Sequence, residues 1–142
     1  MMNGDPAMNG DSVMNGDQTI GWKNDSLSRK VIECIIQVHQ VLGPGFLESV
    51  YRNALGVELR RHGLEFEMEK DVRVDYEGVE VGKHRIDLIV AGRLIVELKA
   101  VEELSRAHYA QARSYLKATN LRVTLLVNFS KTFADYRRVE AA

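Results

Sequence analysis

A chain of 142 residues with 45% hydrophobic and 27% charged content has room for one domain with its own core and for no second one. A net charge of −1 excludes a protein that holds a polyanion by its global field, so any nucleic-acid contact has to come from a local patch, and no basic stripe is evident. One cysteine, Cys34, excludes an internal disulfide; with no apolar run of membrane-span length and no apolar signal-peptide core, a soluble, cytoplasmic protein is expected.

Residues 1–24 carry the repeat Met-Asn-Gly-Asp at positions 2, 8 and 14 and offer almost nothing to bury, which predicts a disordered low-complexity tail. The ordered domain is expected over residues 25–130, with residues 131–142 as a short solvated tail. Asp25 or Ser26 can cap a first helix, along which Val31, Ile32, Ile35, Ile36, Val38 and Leu42 recur at helical spacing. Gly43-Pro44-Gly45 ends it. His39 and Cys34 lie on or beside the apolar stripe and read as structural. A second helix is predicted over residues 46–62, with Leu47, Val50, Tyr51, Ala54 and Leu55 on its apolar face and Gly63 as its stop. Glu48 sits in the first turn, where a carboxylate suits the positive end of the helix dipole.

The period then falls to two. Residues 66–76 alternate in part, Glu77-Gly78 predicts a tight turn, and Gly82 marks a bulge in the strand that follows. That strand and the next, residues 86–90 and 94–100, flank Ala91-Gly92-Arg93 and predict a hairpin. A three-residue loop sets Asp87 opposite Glu97, with Lys99 on the same face and Ile86, Leu88, Val90, Leu94, Val96 and Leu98 on the other. A two-residue loop sends the two carboxylates to opposite faces. With apolar residues on both faces the hairpin is expected to be covered. Two carboxylates about 5 Å apart then repel by roughly 3 kcal/mol at an effective dielectric of about 20. A divalent cation between them offsets both charges; an Asp87–Lys99 pair with Glu97 turned to solvent is the plainer arrangement.

Ser105 can cap a third helix reaching about Ala118, with Leu104, His108, Gln111 and Tyr115 sharing one face. Polar residues on a face that should meet a sheet form either a buried hydrogen-bond network or a wall of the Asp87–Glu97–Lys99 cluster. Residues 121–129 make a last apolar strand, expected to pair parallel to a central one because a helix carries the crossover. The order α-α-β-β-β-α-β predicts an α+β (or α/β) domain, a mixed sheet flanked by helices.

Gly45-Phe46-Leu47-Glu48-Ser49-Val50-Tyr51 resembles the G-x-x-E-x-x-Y signature of the GxxExxY proteins. The resemblance continues through Leu42-Gly43-Pro44-Gly45, the Asp87 strand, Val96-Glu97-Leu98-Lys99-Ala100, Gln111 with Tyr115, and Asn128-Phe129, covering roughly residues 27–130. That family looks like a compact branch of the PD-(D/E)XK nuclease-like superfamily, with a restriction-endonuclease-like α-β-β-β-α-β core. The resemblance implies a site of Glu48, Asp87, Glu97, Lys99, Gln111 and Tyr115. Asp87, Glu97 and the backbone carbonyl of Leu98 would hold Mg²⁺ or Mn²⁺, with Glu48 reaching the same place. Lys99 would orient a water or neutralise phosphate, Gln111 would hydrogen-bond beside it, and Tyr115 would pack there. The implied activity is metal-dependent phosphodiester hydrolysis, on DNA in preference to RNA. The tail and the lack of an appended DNA-reading domain depart from the pattern. Two other readings stand beside the nuclease: a module of the same fold that binds nucleic acid without useful turnover, and an interaction subunit that pairs with itself or a protein partner.

Overall fold

The computed structural model describes residues 25–142. The repeats of residues 1–24 lie outside the described residues. Helix α1 is Ser26–Leu42, and α2 is Glu48–Arg61. The chain divides into two compact units at residues 32 and 33, within α1; everything that follows belongs to the second, Glu33–Ala142. There α1 buries Cys34, Ile35, Val38 and His39. It ends at Gly43, whose φ of 68° is open to glycine and whose N–H donates to the His39 carbonyl at 2.8 Å.

Strands β1 (Phe66–Tyr76) and β2 (Val79–Val90) form a long antiparallel hairpin, closed by Glu77 and Gly78, both at positive φ. The bulge expected near Gly82 is the neighbouring Val81: the register passes from Val74 opposite Gly82 to Asp75 opposite Glu80. Strand β3 is Leu94–Lys99, and the β2–β3 loop has three residues, so Val90 faces Leu94 and Leu88 faces Val96. The two-residue alternative is excluded. Helix α3 (Arg106–Thr119) carries the chain to β4 (Val123–Asn128), which pairs parallel to β3. Ser105 starts α3 with a reciprocal cap: its Oγ accepts from the His108 N–H, and its N–H donates to His108 Nδ1 at 2.9 Å.

The expected solvated tail is instead a strand. β5 (Asp135–Glu140) pairs antiparallel with β4 and completes a five-stranded sheet in the order β1-β2-β3-β4-β5. Its sequence, D-Y-R-R-V-E, hides this. Val139 and Asp135 are buried, but the apolar signal amounts to little more than one valine, as suits a charged edge strand. Arg137 pairs with Asp135, and Arg138 with Glu140, each at 2.8 Å along the strand.

One core forms where Ile89, Ile95, Leu126 and Val139 of the sheet meet Ala112, Tyr115 and Leu116 of α3. Ile86, expected on the face opposite Asp87, joins that same core. The reason is local. Pairing runs from Met68 opposite Leu88 to Lys70 opposite Ile86, passing over Glu69 and Asp87, and Glu69 sits at φ 53°. The irregularity breaks strict alternation just where the acidic residue stands.

Candidate active site

The β2–β3 ladder stops at Leu88 and Val96. One residue further, Asp87 uses its side chain where a backbone acceptor would otherwise serve: Oδ2 accepts the Leu98 N–H at 2.9 Å. Leu98 itself is buried and paired with Val127 on β4, its carbonyl therefore on the strand that carries Glu97 and Lys99. Glu97 is 6% exposed. Its Oε2 accepts from the Tyr115 hydroxyl at 3.3 Å and lies 3.5 Å from Lys99 Nζ. Its Oε1 is buried with no hydrogen-bond partner. Lys99 Nζ also donates to Gln111 Oε1 at 3.1 Å. Lys99, Glu97, Gln111 and Tyr115 thus form one connected cluster, with Asp87 against Glu97; of the expected polar face of α3, His108 is taken by the helix cap.

Glu48 is brought to the same end of β3 from α2, where its Oε2 accepts the Ala100 N–H at 3.1 Å. What holds it there is Tyr51, the last residue of the glycine-started motif. The Tyr51 hydroxyl donates to the Gly43 carbonyl and accepts the Phe46 N–H, while its ring stacks on Phe129 at 4.3 Å. The loop before α2 is fastened to its own helix, and Glu48 inherits that position.

Burial dominates the electrostatics. It raises Asp87 above the ordinary carboxylate range, against the Leu98 N–H bond, a hydrogen bond with the Glu97 side chain and the charge of Arg52, which lower it. Burial and then the charge of Asp87 push Glu97 up to about 8, with Lys99 pulling the other way. Tyr115 is raised by burial and by Glu97. A carboxylate with one oxygen buried and unbonded, beside a second, half-buried acid, is the donor chemistry of a hard divalent cation. Two acids fit such an ion. Among the described residues no three His, Cys, Asp or Glu side chains are gathered as a ready cage.

The family model of the PD-(D/E)XK nuclease superfamily matches residues 25–139, most of the chain and all but the last residue of β5. The chain belongs to the PD-(D/E)XK nuclease superfamily. Among solved structures it is similar to SSO0001, at 14% identity and a TM-score of 0.54, covering 87% of this chain and 61% of that one. It is also similar to an alkaline exonuclease (LHK-Exo) from Laribacter hongkongensis, at 12% identity and a TM-score of 0.44, covering 76% of each chain. The SSO0001 likeness is one of fold, and this chain spans about three-fifths of that protein's length. No curated protein matches the sequence.

Within this PD-(D/E)XK chain, three residues near the cluster escaped the sequence reading. Arg52 approaches Asp87 and Glu69 from α2; its only sequence signal is the helical spacing from Glu48. His84 packs edge-on against Tyr115 at 4.8 Å, and its Nε2 lies 3.2 Å from Ser114 Oγ. Neither has a signal, because β2 and α3 meet only in the fold. Arg106, Arg113 and Lys117 are exposed on one side of α3, separated by two helical turns and then one, on the side turned away from Tyr115. No described helix is long and apolar enough to cross a membrane.

Proposed function

We propose that this protein is a GxxExxY-type nuclease that hydrolyses phosphodiester bonds, in DNA in preference to RNA, with Mg²⁺ or Mn²⁺ held by Asp87, Glu97 and the Leu98 carbonyl. The observation that carries the reading is the buried Glu97 beside the half-buried Asp87, with Glu97 Oε1 unbonded and the Lys99 ammonium 3.5 Å from Oε2. Such an arrangement costs stability in the protein by itself, and a doubly charged ion relieves it. When bound, the ion supplies charge stabilisation at the phosphate and a more acidic water. The chain's own residues do the placing. Tyr115 fixes one oxygen of Glu97, and Leu98 N–H fixes one of Asp87, leaving the remaining oxygens as donors. Lys99, steadied by Gln111, presents a positive charge beside them to the scissile phosphate or to the attacking water. Glu48, whose Oε2 accepts the Ala100 N–H, would hold the same ion through its other oxygen.

One observation favours the second reading, a nucleic-acid-binding module without turnover: the third carboxylate is bound to backbone. Incubating linear and circular DNA, and RNA, with the protein and Mn²⁺ decides between them. Cleavage of DNA that disappears in Lys99→Ala is expected. DNA retention without cleavage gives the second reading, and cleavage unchanged in Lys99→Ala removes the site assignment.

A further inference from the structure

Arg52 lies one turn beyond Glu48 on the side of α2 that meets the sheet, and its side chain is 17% exposed. One turn further on, Gly56 lets α2 press against β1 so closely that a Cβ there would stand 2.9 Å from Met68 Cε. This approach puts the guanidinium between two carboxylates: Nη2 is 3.2 Å from Glu69 Oε2, and Nη1 is 3.9 Å from Asp87 Oδ1. Nε is buried and bonded to nothing. Glu69 occupies the position that the β1–β2 pairing passes over together with Asp87, at φ 53°. The fork of an arginine is rigid, so a pull on one side is taken from the other.

We propose that Arg52 is a positioning residue that serves as the resident counter-ion of Asp87, and that Glu69 restrains it, so that the Glu69–Arg52 pair sets how readily the acid pair takes up a divalent cation. The inference rests on the reading of Asp87 and Glu97 as metal-holding acids. A guanidinium and a divalent ion both draw on the Asp87 carboxylate, and they repel each other. The longer contact to Asp87 leaves that carboxylate partly available; the shorter one to Glu69 keeps the arginine from taking it fully. The irregular backbone at Glu69 is what aims its side chain at Arg52 instead of along the ladder.

The two members of the pair therefore act with opposite sign. Titration calorimetry with Mn²⁺ alone, without nucleic acid, measures this directly. Arg52→Gln is expected to tighten Mn²⁺ binding by about fivefold or more, and Glu69→Gln to weaken it by a similar factor. Arg52→Lys keeps the charge and stays near the wild-type value. A merely structural role for Arg52 loosens the site in both variants, so a loss of affinity in Arg52→Gln, or changes of the same sign, overturns the proposal. Glu69 is half exposed, so its variant tests the idea even where Arg52→Gln does not fold. Absence of Mn²⁺ uptake by the wild-type protein, in contrast, overturns the metal reading itself.

Discussion

Toward the outer end of the β1–β2 hairpin, Arg73 meets Asp75 at 2.8 Å and Arg85 meets Asp71 at 3.1 Å, with all four side chains at least 46% exposed. Where β2 reaches β3, Glu97 and Asp87 are 7% and 21% exposed by side chain and meet their cations only at 3.5 and 3.9 Å. The same residue types are well paired where water makes pairing nearly worthless and poorly paired where burial makes it count. The pairs on the hairpin lie in water; the acids at the site keep an unmet demand for positive charge.

Substitution at the site should break this contrast most visibly. Asp87→Asn is expected to lower DNA cleavage by about a hundredfold or more, while raising the melting temperature of the metal-free protein above about pH 8, where Glu97 is ionised and a repelling charge is gone. Cleavage kinetics and thermal melts in chelator, run on one preparation, check both halves. A lower melting temperature would show that Asp87 serves the fold.

A smaller effect sharpens the contrast through pH. Glu97 is raised by burial and by Asp87 to about 8 in the folded chain, above its ordinary value. The folded state therefore holds a proton that the unfolded state has released. Its contribution to stability is fully present below the ordinary carboxylate pKa and is lost as pH rises through about 8. Melts of the metal-free protein between about pH 5 and 9 should show this decline, and Glu97→Gln should flatten it. With Mn²⁺ present the decline should be smaller, since the ion takes the place of the proton. A wild-type profile as flat as that of Glu97→Gln would show that Glu97 ionises freely.

The smallest effect belongs to the hairpin. Arg73→Ala, which removes an exposed pair with Asp75, should leave both the melting temperature and cleavage unmoved. A measurable fall in either would mean that this stretch of the hairpin touches something the contrast assigns to the site alone.

Much of the site was legible because it lies on short local patterns. Ala91-Gly92-Arg93 between two apolar runs marked the hairpin, whose three-residue loop in the structure gives the one of two registers that places Asp87 against Glu97, and helical spacing carried Gln111 and Tyr115 to one face. The exceptions share a cause. Ile86 turned to the face of Asp87 because pairing with β1 breaks at Glu69, which a period of two in β2 alone does not contain. Arg106, Arg113 and Lys117 are too far apart in the sequence to read as a run, yet the helix aligns them. β5 carries its apolar signal on little more than Val139, because a charged strand becomes a strand only when β4 offers it an edge.

The sequence by itself determined every described element but β5, narrowed the hairpin register to two alternatives, and singled out Asp87, Glu97 and Lys99, since each depends on residues a few positions apart. Only the tertiary structure decided how these charges are balanced. It buried Glu97 Oε1 without a partner, tied Glu48 to Ala100, and set Arg52 between Glu69 and Asp87. The physical reason is that desolvation and Coulomb energy depend on distances between groups that the chain brings together from far apart. No local pattern encodes those distances.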